Sequence, residues 1–196
     1  MIAIVDYGAG NLNSVRKAFD YLGAEVVVTD QPATIATADK IVFPGVGHFS
    51  SLQVLDRTGL REALLRGTSS GKPFLGICVG MQWLFEGSDE SSEVAGAGIF
   101  PGKCRPFPSS VKSPHVGWNS LTIQEGSRLL RGIKQDSFVY YTHSFHAPVV
   151  ASMSAATDYG LRFAGAVEQG SIFGVQFHPE KSGDVGLSIL KNFCEV

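Results

Sequence analysis

The sequence predicts an α/β fold: an open, mostly parallel twisted sheet with helices on both faces and an antiparallel extension in the second half. Three observations carry this. Through the first half, short apolar runs rich in β-branched residues alternate with segments of helical period, the pattern of repeated βα units and so of a parallel sheet covered on both sides. In the second half, strand-like runs follow one another with little helix between them. Between the two, an apolar run at residues 73–77 passes through Gly76-Ile77-Cys78-Val79-Gly80 straight into an amphipathic segment, and such a turn lifts a side chain out of the carboxyl edge of the sheet.

Taken in order, residues 2–5 form a strand. Residues 12–22 follow as a helix, with Val15, Ala18, Phe19 and Leu22 on one face and Gly23 as its C-terminal stop. Residues 25–28 and 40–43 are the next strands, the latter ending at Pro44-Gly45-Val46-Gly47. Residues 60–66 are helical, 73–77 form the strand before Cys78, and Met81, Trp83, Leu84 and Phe85 begin a helix. Residues 87–98 are small, polar and acidic, hence a loop. Strands are then expected at 121–123, 138–142, 161–167 and 172–177, returning to the main sheet, and residues 184–193 form a closing helix on Val185, Leu187, Ile189, Leu190 and Phe193. No internal repeat, low-complexity tract or linker divides the chain, so residues 1–196 are expected to be a single domain.

Bulk properties narrow the function. The hydrophobic fraction is 44% and the charged fraction 17%, a globular composition; net charge is −2 and the basic residues form no run, so neither nucleic acid nor an anionic membrane is expected as a partner. The three cysteines are widely spaced and odd in number, which suits a reducing compartment rather than a disulfide framework. No Cys-x-x-Cys or His-x-x-x-His spacing occurs, and no metal or cofactor is expected. The first residues open directly as a strand, and no apolar run has the length of a membrane span. A cytoplasmic enzyme is the expectation.

Cys78 is the candidate nucleophile. A small residue on either side of it permits the sharp turn, the N–H of Val79 is placed to stabilise an oxyanion, and the helix N-terminus favours a thiolate. The bland alternative is a buried cysteine in a strand-to-turn segment. A nucleophilic cysteine needs a base and the base needs a residue to orient it. His178-Pro179-Glu180 supplies both at the end of the apolar run 172–177, where the proline stiffens the segment. Pro44-Gly45-Val46-Gly47 ends a strand, and its glycines allow a peptide to present an N–H to a ligand or to flip; a plain βα turn is the other reading. Gly8-Ala9-Gly10-Asn11 lacks the third glycine of a dinucleotide fingerprint and is a tight turn. Residues 114–119 are compact and amphipathic, either a core turn or, with Trp118 exposed, a partner surface. His143 and His146, three apart on a strand, are expected on opposite faces and so not to share a metal.

The Cys78 elbow with His178-Pro179-Glu180 about a hundred residues later resembles the class I (triad-type) glutamine amidotransferases. Asp6-Tyr7-Gly8-Ala9-Gly10-Asn11-Leu12, Pro44-Gly45-Val46-Gly47-His48-Phe49, Gly76-Ile77-Cys78-Val79-Gly80-Met81-Gln82, Pro114-His115-Val116-Gly117-Trp118-Asn119 and His178-Pro179-Glu180-Lys181-Ser182 occur in that order. Together they resemble the branch of glutaminase subunits of imidazole glycerol phosphate synthases, over essentially the whole chain. The resemblance implies Cys78, His178 and Glu180 as catalytic residues and a glutamyl thioester as intermediate. It implies an oxyanion hole from the N–H groups of Val79 and, after a peptide flip, Val46. It implies that Gly47, Gln82, Glu90 and Ser144 hold the α-amino and α-carboxylate groups of glutamine. Asn11, Trp118, Tyr140 and Lys181 would face a cyclase subunit, a (β/α)₈ barrel, in a heterodimer. Thr142 and Phe145 depart from the usual form of their segment. If the flip gates activity, a β-branched residue at Gly45 is expected to restrict it. The rival readings are the glutaminase subunit of another synthase, such as pyridoxal phosphate synthase, a stand-alone cysteine hydrolase active without a partner, and a non-catalytic regulatory module on the same scaffold.

Overall fold

A computed structural model describes residues 1–196. The first half runs β1 (Ile2–Val5), α1 (Leu12–Tyr21), β2 (Val26–Thr29), α2 (Pro32–Thr37) and β3 (Lys40–Gly45). A 3₁₀ turn at Phe49–Gln53 leads into α3 (Val54–Thr58) and α4 (Leu60–Ser69), then β4 (Phe74–Cys78) and α5 (Val79–Trp83). The second half holds β5 (Gly87–Ser88), β6 (Lys103–Pro106), β7 (His115–Ser120), β8 (Thr122–Ile123), β9 (Phe138–His143) and β10 (Phe145–His146). It continues with β11 (Met153–Asp158), β12 (Arg162–Gln169), β13 (Ile172–Val175), a 3₁₀ turn at Pro179–Lys181 and α6 (Gly183–Glu195).

The main sheet has the order β2-β1-β3-β4-β13-β12-β11-β8. From β2 to β13 the neighbours are parallel, and from β13 to β8 they are antiparallel. Strand β4 lies at its centre with every residue buried, as a parallel strand covered on both faces must be. The chain moves from β1 to β2 in one direction and from β2 to β3 in the other. Right-handed crossovers therefore put α1 on one face and α2 and α4 on the other; α1 packs against α6, and α2 against α4. One contiguous apolar cluster joins the two halves, from Ile4 on β1 to Phe193 on α6. Lys40 Nζ donates to the carbonyls of Phe193 (3.1 Å), Cys194 (2.7 Å) and Val196, covering the C-terminal end of α6, where a cation is favoured.

This topology builds the site. In the parallel register Gly45 lies opposite Cys78, and Val175 opposite Ile77. The segments leaving β3, β4 and β13 therefore emerge together at one carboxyl edge, where open α/β sheets bind ligands.

Several features differ from the sequence expectation, among them a helix at Pro32–Thr37 and a short strand, Gly87–Ser88, at the start of the expected loop. Residues 138–142 do not join the main sheet: β9 pairs with β7 as a separate antiparallel ribbon. Residues 114–119 are a strand, not a core turn. Its period of two turns His115 inward and leaves Val116 and Trp118 exposed at 56% each, with Phe138, across from Ser120, exposed at 57%. Strand β11 is rich in Ala and Ser and carries no strong β signature, so burial between β12 and β8 makes it a strand. The helix expected through Phe85 is only Val79–Trp83. No helix is long and apolar enough to cross a membrane.

Candidate active site

Cys78 has φ 54° and ψ −108°, a conformation a non-glycine residue holds only when its surroundings over-determine it. The flanking glycines supply the constraint. A Cβ on Gly80 would lie 1.7 Å from the Phe43 carbonyl oxygen, and one on Gly76 would lie 2.5 Å from the Gly80 oxygen. The backbones approach so closely that only glycine fits, and this packing holds the elbow. Val79, the first residue of α5, has an N–H with no intrahelical acceptor. The helix has only five residues, too few aligned peptides for a large dipole, so the polarity around the sulfur comes mainly from neighbouring side chains.

His178 is one such neighbour. Its Nδ1 is 2.9 Å from Glu180 Oε1, with both side chains 1% exposed. Asn11 Nδ2 donates to the same oxygen at 3.5 Å. With Nδ1–H given to the carboxylate, Nε2 is the free atom, and it has no hydrogen-bond partner. Burial opposes charge on this ring, but the Cys78 sulfur and then Glu180 outweigh it and push its pKa up to about 10. A carboxylate–imidazole pair beside a sulfur can take the thiol proton and return it to a leaving group.

A cavity of about 310 Å³ opens over Cys78, lined by Gly47, Val79, Gln82, Glu90 and Ser144 among others, at the small end for ligand sites. A groove of about 340 Å³ between α2 and α4 is slightly larger but holds neither cysteine nor histidine. Glu90 lies in a loop yet is anchored: Oε2 accepts from the Phe49 N–H at 2.8 Å, and Oε1 is 4.0 Å from His48 Nε2. Gln82 Nε2 donates to the Phe145 carbonyl (2.8 Å) and to Gln176 Oε1 (3.2 Å). Both its protons are thereby used, so Gln82 offers a ligand its oxygen. Gly47 has φ 103°. Val46 is half-buried and is not part of the cavity lining.

Gly45 is a packing position. A Cβ there would lie 2.5 Å from the Tyr7 hydroxyl and 2.8 Å from Val79 Cβ, so a β-branched residue would displace the elbow as well as restrict a flip. Gly47, with open space around its Cβ position and a positive φ, is the place to perturb this segment alone.

Three of the remaining sequence candidates form one partly exposed group. Trp118 meets Tyr140 edge-on at 6.0 Å, and Lys181 Nζ lies 5.8 Å from the Tyr140 ring centroid. Asn11 stands apart from them, on Glu180. Tyr140 is tied to the histidine segment at both backbone groups: its carbonyl accepts from His178 N–H (2.8 Å) and its N–H donates to Ser182 Oγ (2.9 Å).

Sequence reasoning missed a buried imidazole pair. His143 Nδ1 donates to the Phe145 carbonyl at 2.9 Å, so its Nε2 accepts from His115 Nδ1 at 3.2 Å, and His115 Nε2 accepts from Asn119 at 3.4 Å. The chain of bonds is consistent only with both rings neutral. Burial lowers the pKa of His115 to about 4 and that of His143 to about 3. His143 and His146 are not on opposite faces: the strand breaks at Ser144, and each ring lies 5.1 Å from the Phe107 centroid. No group of three or more His, Cys, Asp or Glu side chains is placed to hold a metal ion.

The imidazole pair sets an acid limit. Between pH 6.5 and 4 the unfolded chain binds protons that the folded pair refuses, so stability falls with pH in that window. The cost is roughly 1.4 kcal/mol per imidazole per pH unit below its ordinary pKa. The thermal midpoint should drop from pH 7 to pH 5, and less so in His143→Gln; an equal drop in both would contradict the assignment.

An α/β sheet with a cysteine on a strained elbow, a carboxylate-held imidazole and a cavity over the sulfur is an arrangement able to support acyl transfer to a thiol. The chain belongs to the class I glutamine amidotransferases: the family model described as "Glutamine amidotransferase class-I" matches residues 3–196. It is 47% identical over 197 residues to "Imidazole glycerol phosphate synthase subunit HisH" of Methanothermobacter thermautotrophicus, covering 100% of this chain and 98% of that one. With the HisH subunit of Bacillus cereus the identity is 46% over 195 residues, covering 98% and 93%. Among solved structures, a glutamine amidotransferase matches with a TM-score of 0.77 at 16% identity, covering 99% and 100%. PurLQS from Thermotoga maritima matches at 0.75 and 18%, covering 99% and 97%. At those identities the structural matches speak to the fold.

Proposed function

We propose that this chain is the glutaminase subunit of an imidazole glycerol phosphate synthase, acting in histidine biosynthesis. Its full-length identity of 47% to a HisH subunit carries the reading and favours it over the pyridoxal phosphate and regulatory alternatives. Residues 1–196 then form one amidotransferase domain that works in the cytoplasm.

Glutamine enters the cavity over Cys78. Glu90 and the Gln82 oxygen are acceptors and suit its α-ammonium; the Ser144 hydroxyl and the Gly47 backbone suit its α-carboxylate. Cys78 Sγ attacks the side-chain amide carbon while His178 Nε2 holds the thiol proton. The oxyanion takes the Val79 N–H and, once its peptide has flipped, that of Val46. Collapse of the adduct breaks the C–N bond, and His178 gives its proton to the departing ammonia. Water, deprotonated by His178, then attacks the thioester, releasing glutamate and restoring the thiol. Glu180 keeps Nδ1 protonated throughout.

Ammonia passes to a cyclase subunit, a (β/α)₈ barrel in a heterodimer, which makes imidazole glycerol phosphate and the aminoimidazole carboxamide ribotide by-product. Trp118, Tyr140 and Lys181 present the docking group, and Asn11, apart from them on Glu180, would also face the partner. The backbone bonds from Tyr140 to His178 and Ser182 give docking a short route to the base. Glutamate release should be weak for the chain alone and rise strongly with a cyclase subunit and its phosphoribosyl ligand. Strong release without the partner, or none in either state from folded protein, would overturn the reading.

A further inference from the structure

Gln176 interrupts the apolar run 172–177 and is fully buried beside Cys78. Neither the triad nor the cavity lining accounts for it. Its Nε2 lies 3.7 Å from Cys78 Sγ, a suitable N–H···S separation because sulfur is larger than oxygen. Its Oε1 accepts from Gln82 Nε2 at 3.2 Å.

The direction of this chain follows from its far end. The Phe145 carbonyl can only accept, and it does so from both Gln82 Nε2 (2.8 Å) and His143 Nδ1 (2.9 Å). The Gln82 amide nitrogen must therefore face Phe145, and its second proton points at Gln176 Oε1. The Gln176 oxygen is thus occupied, and its NH₂ is turned to the sulfur. No rotation of the Gln176 amide keeps both bonds, so the nucleophile meets a donor rather than an acceptor. Its backbone is held as well, the N–H donating to the Gly165 carbonyl at 2.9 Å. A hydrogen bond to the charged form of an acid favours that form, and burial of the donor strengthens it.

We propose that Gln176 donates a hydrogen bond to the Cys78 sulfur and steadies its thiolate, with its amide locked in that orientation by Gln82 and the Phe145 carbonyl. This rests on the reading of Cys78 as the nucleophile. It assigns stabilisation of the sulfur to two side chains from the β13 segment, His178 by charge and Gln176 by a fixed dipole, where the short helix α5 contributes little. The leaving-group proton still travels through His178; Gln176 moves no proton.

The test is the pH dependence of Cys78 alkylation by iodoacetamide, a neutral probe, followed by peptide mass so that Cys104 and Cys194 do not contribute. In Gln176→Met, which keeps the volume and removes the donor, the midpoint should move up by about one pH unit. In the complex with the cyclase subunit, kcat should fall about tenfold with KM nearly unchanged, the signature of an interaction with the nucleophile rather than with bound glutamine. A folded Gln176→Met protein with an unmoved midpoint overturns the proposal, since a purely structural role would lower thermal stability and leave the profile in place. If Gln176→Met fails to fold, Gln82→Met frees the Gln176 amide. The midpoint should then move in the same direction by less, and an unmoved one is equally fatal. Failure of the functional reading looks different: the unsubstituted complex would release no glutamate, while the alkylation profiles would still separate.

Discussion

Cys78→Ser should abolish glutamine hydrolysis by the complex, with a fall in kcat on the order of 10⁴–10⁶-fold, while thermal stability stays within about 1 kcal/mol. The small stability change follows from the near-equal size of the two side chains and from the elbow being held by Gly76 and Gly80 rather than by the sulfur. The loss of rate follows because a serine hydroxyl beside the same imidazole is a much weaker acid and nucleophile. His178→Asn should lower kcat comparably, since it removes both the base for the thiol and the donor for ammonia. The combination is the stronger test: groups acting in one step are not additive, so the double variant should be no slower than the slower single one. Multiplying effects would mean that Cys78 and His178 act in separate steps, and the proton route drawn above would be wrong. Steady-state glutamate release with a coupled dehydrogenase reads all three proteins.

Gly80→Ala should cost about 3 kcal/mol or more, a large part of the total stability of a domain this size. The added methyl would meet the Phe43 carbonyl oxygen at 1.7 Å. Both atoms are on or next to backbone, so no rotamer change relieves the clash; β3 and α5 must move apart. Because Gly45 on β3 pairs with Cys78, that movement would open the elbow and the cavity together. Gly71→Ala is the control. Gly71 has φ 79° and nothing within 4 Å of its Cβ position, so only the left-handed backbone cost of about 1–2 kcal/mol applies. Urea unfolding of the two variants should separate these costs; equal midpoints would show that close packing at Gly80 is not what holds the elbow.

Much of the first half could be read from the sequence because its elements carry their own signals. Strand β1 and helix α1 fall where apolar run, helical period and the Gly23 stop place them. The elbow is legible for the same reason: small residues on both sides of a cysteine, between an apolar run and an amphipathic one, mark a sharp turn from strand to helix. Residues 138–142 are legible as a strand but not as part of a separate ribbon, because alternation marks a strand without saying which neighbour it pairs with. Strand β11 left almost no trace, since Ala and Ser are neutral about strand formation and only burial decides.

The candidate site divides along the same line. Cys78, His178 and Glu180 stand out as candidates by residue type and local spacing, and the amidotransferase resemblance follows from ordered motifs that need no coordinates. Gln176 stood in the sequence as the one polar side chain in an apolar run, yet its meaning depends on contacts to Gln82 and Cys78, 94 and 98 positions away. The His115–His143 pair and the unsuitability of Gly45 for a β-branched residue likewise depend on what lies opposite in space. Sequence by itself determined the family and offered the candidate nucleophile, base and orienter, because these are residue types held close along the chain or at strand ends. Tertiary structure alone decided how that chemistry is supported, because hydrogen-bond direction, burial and close backbone approach arise only when distant segments share one sheet edge.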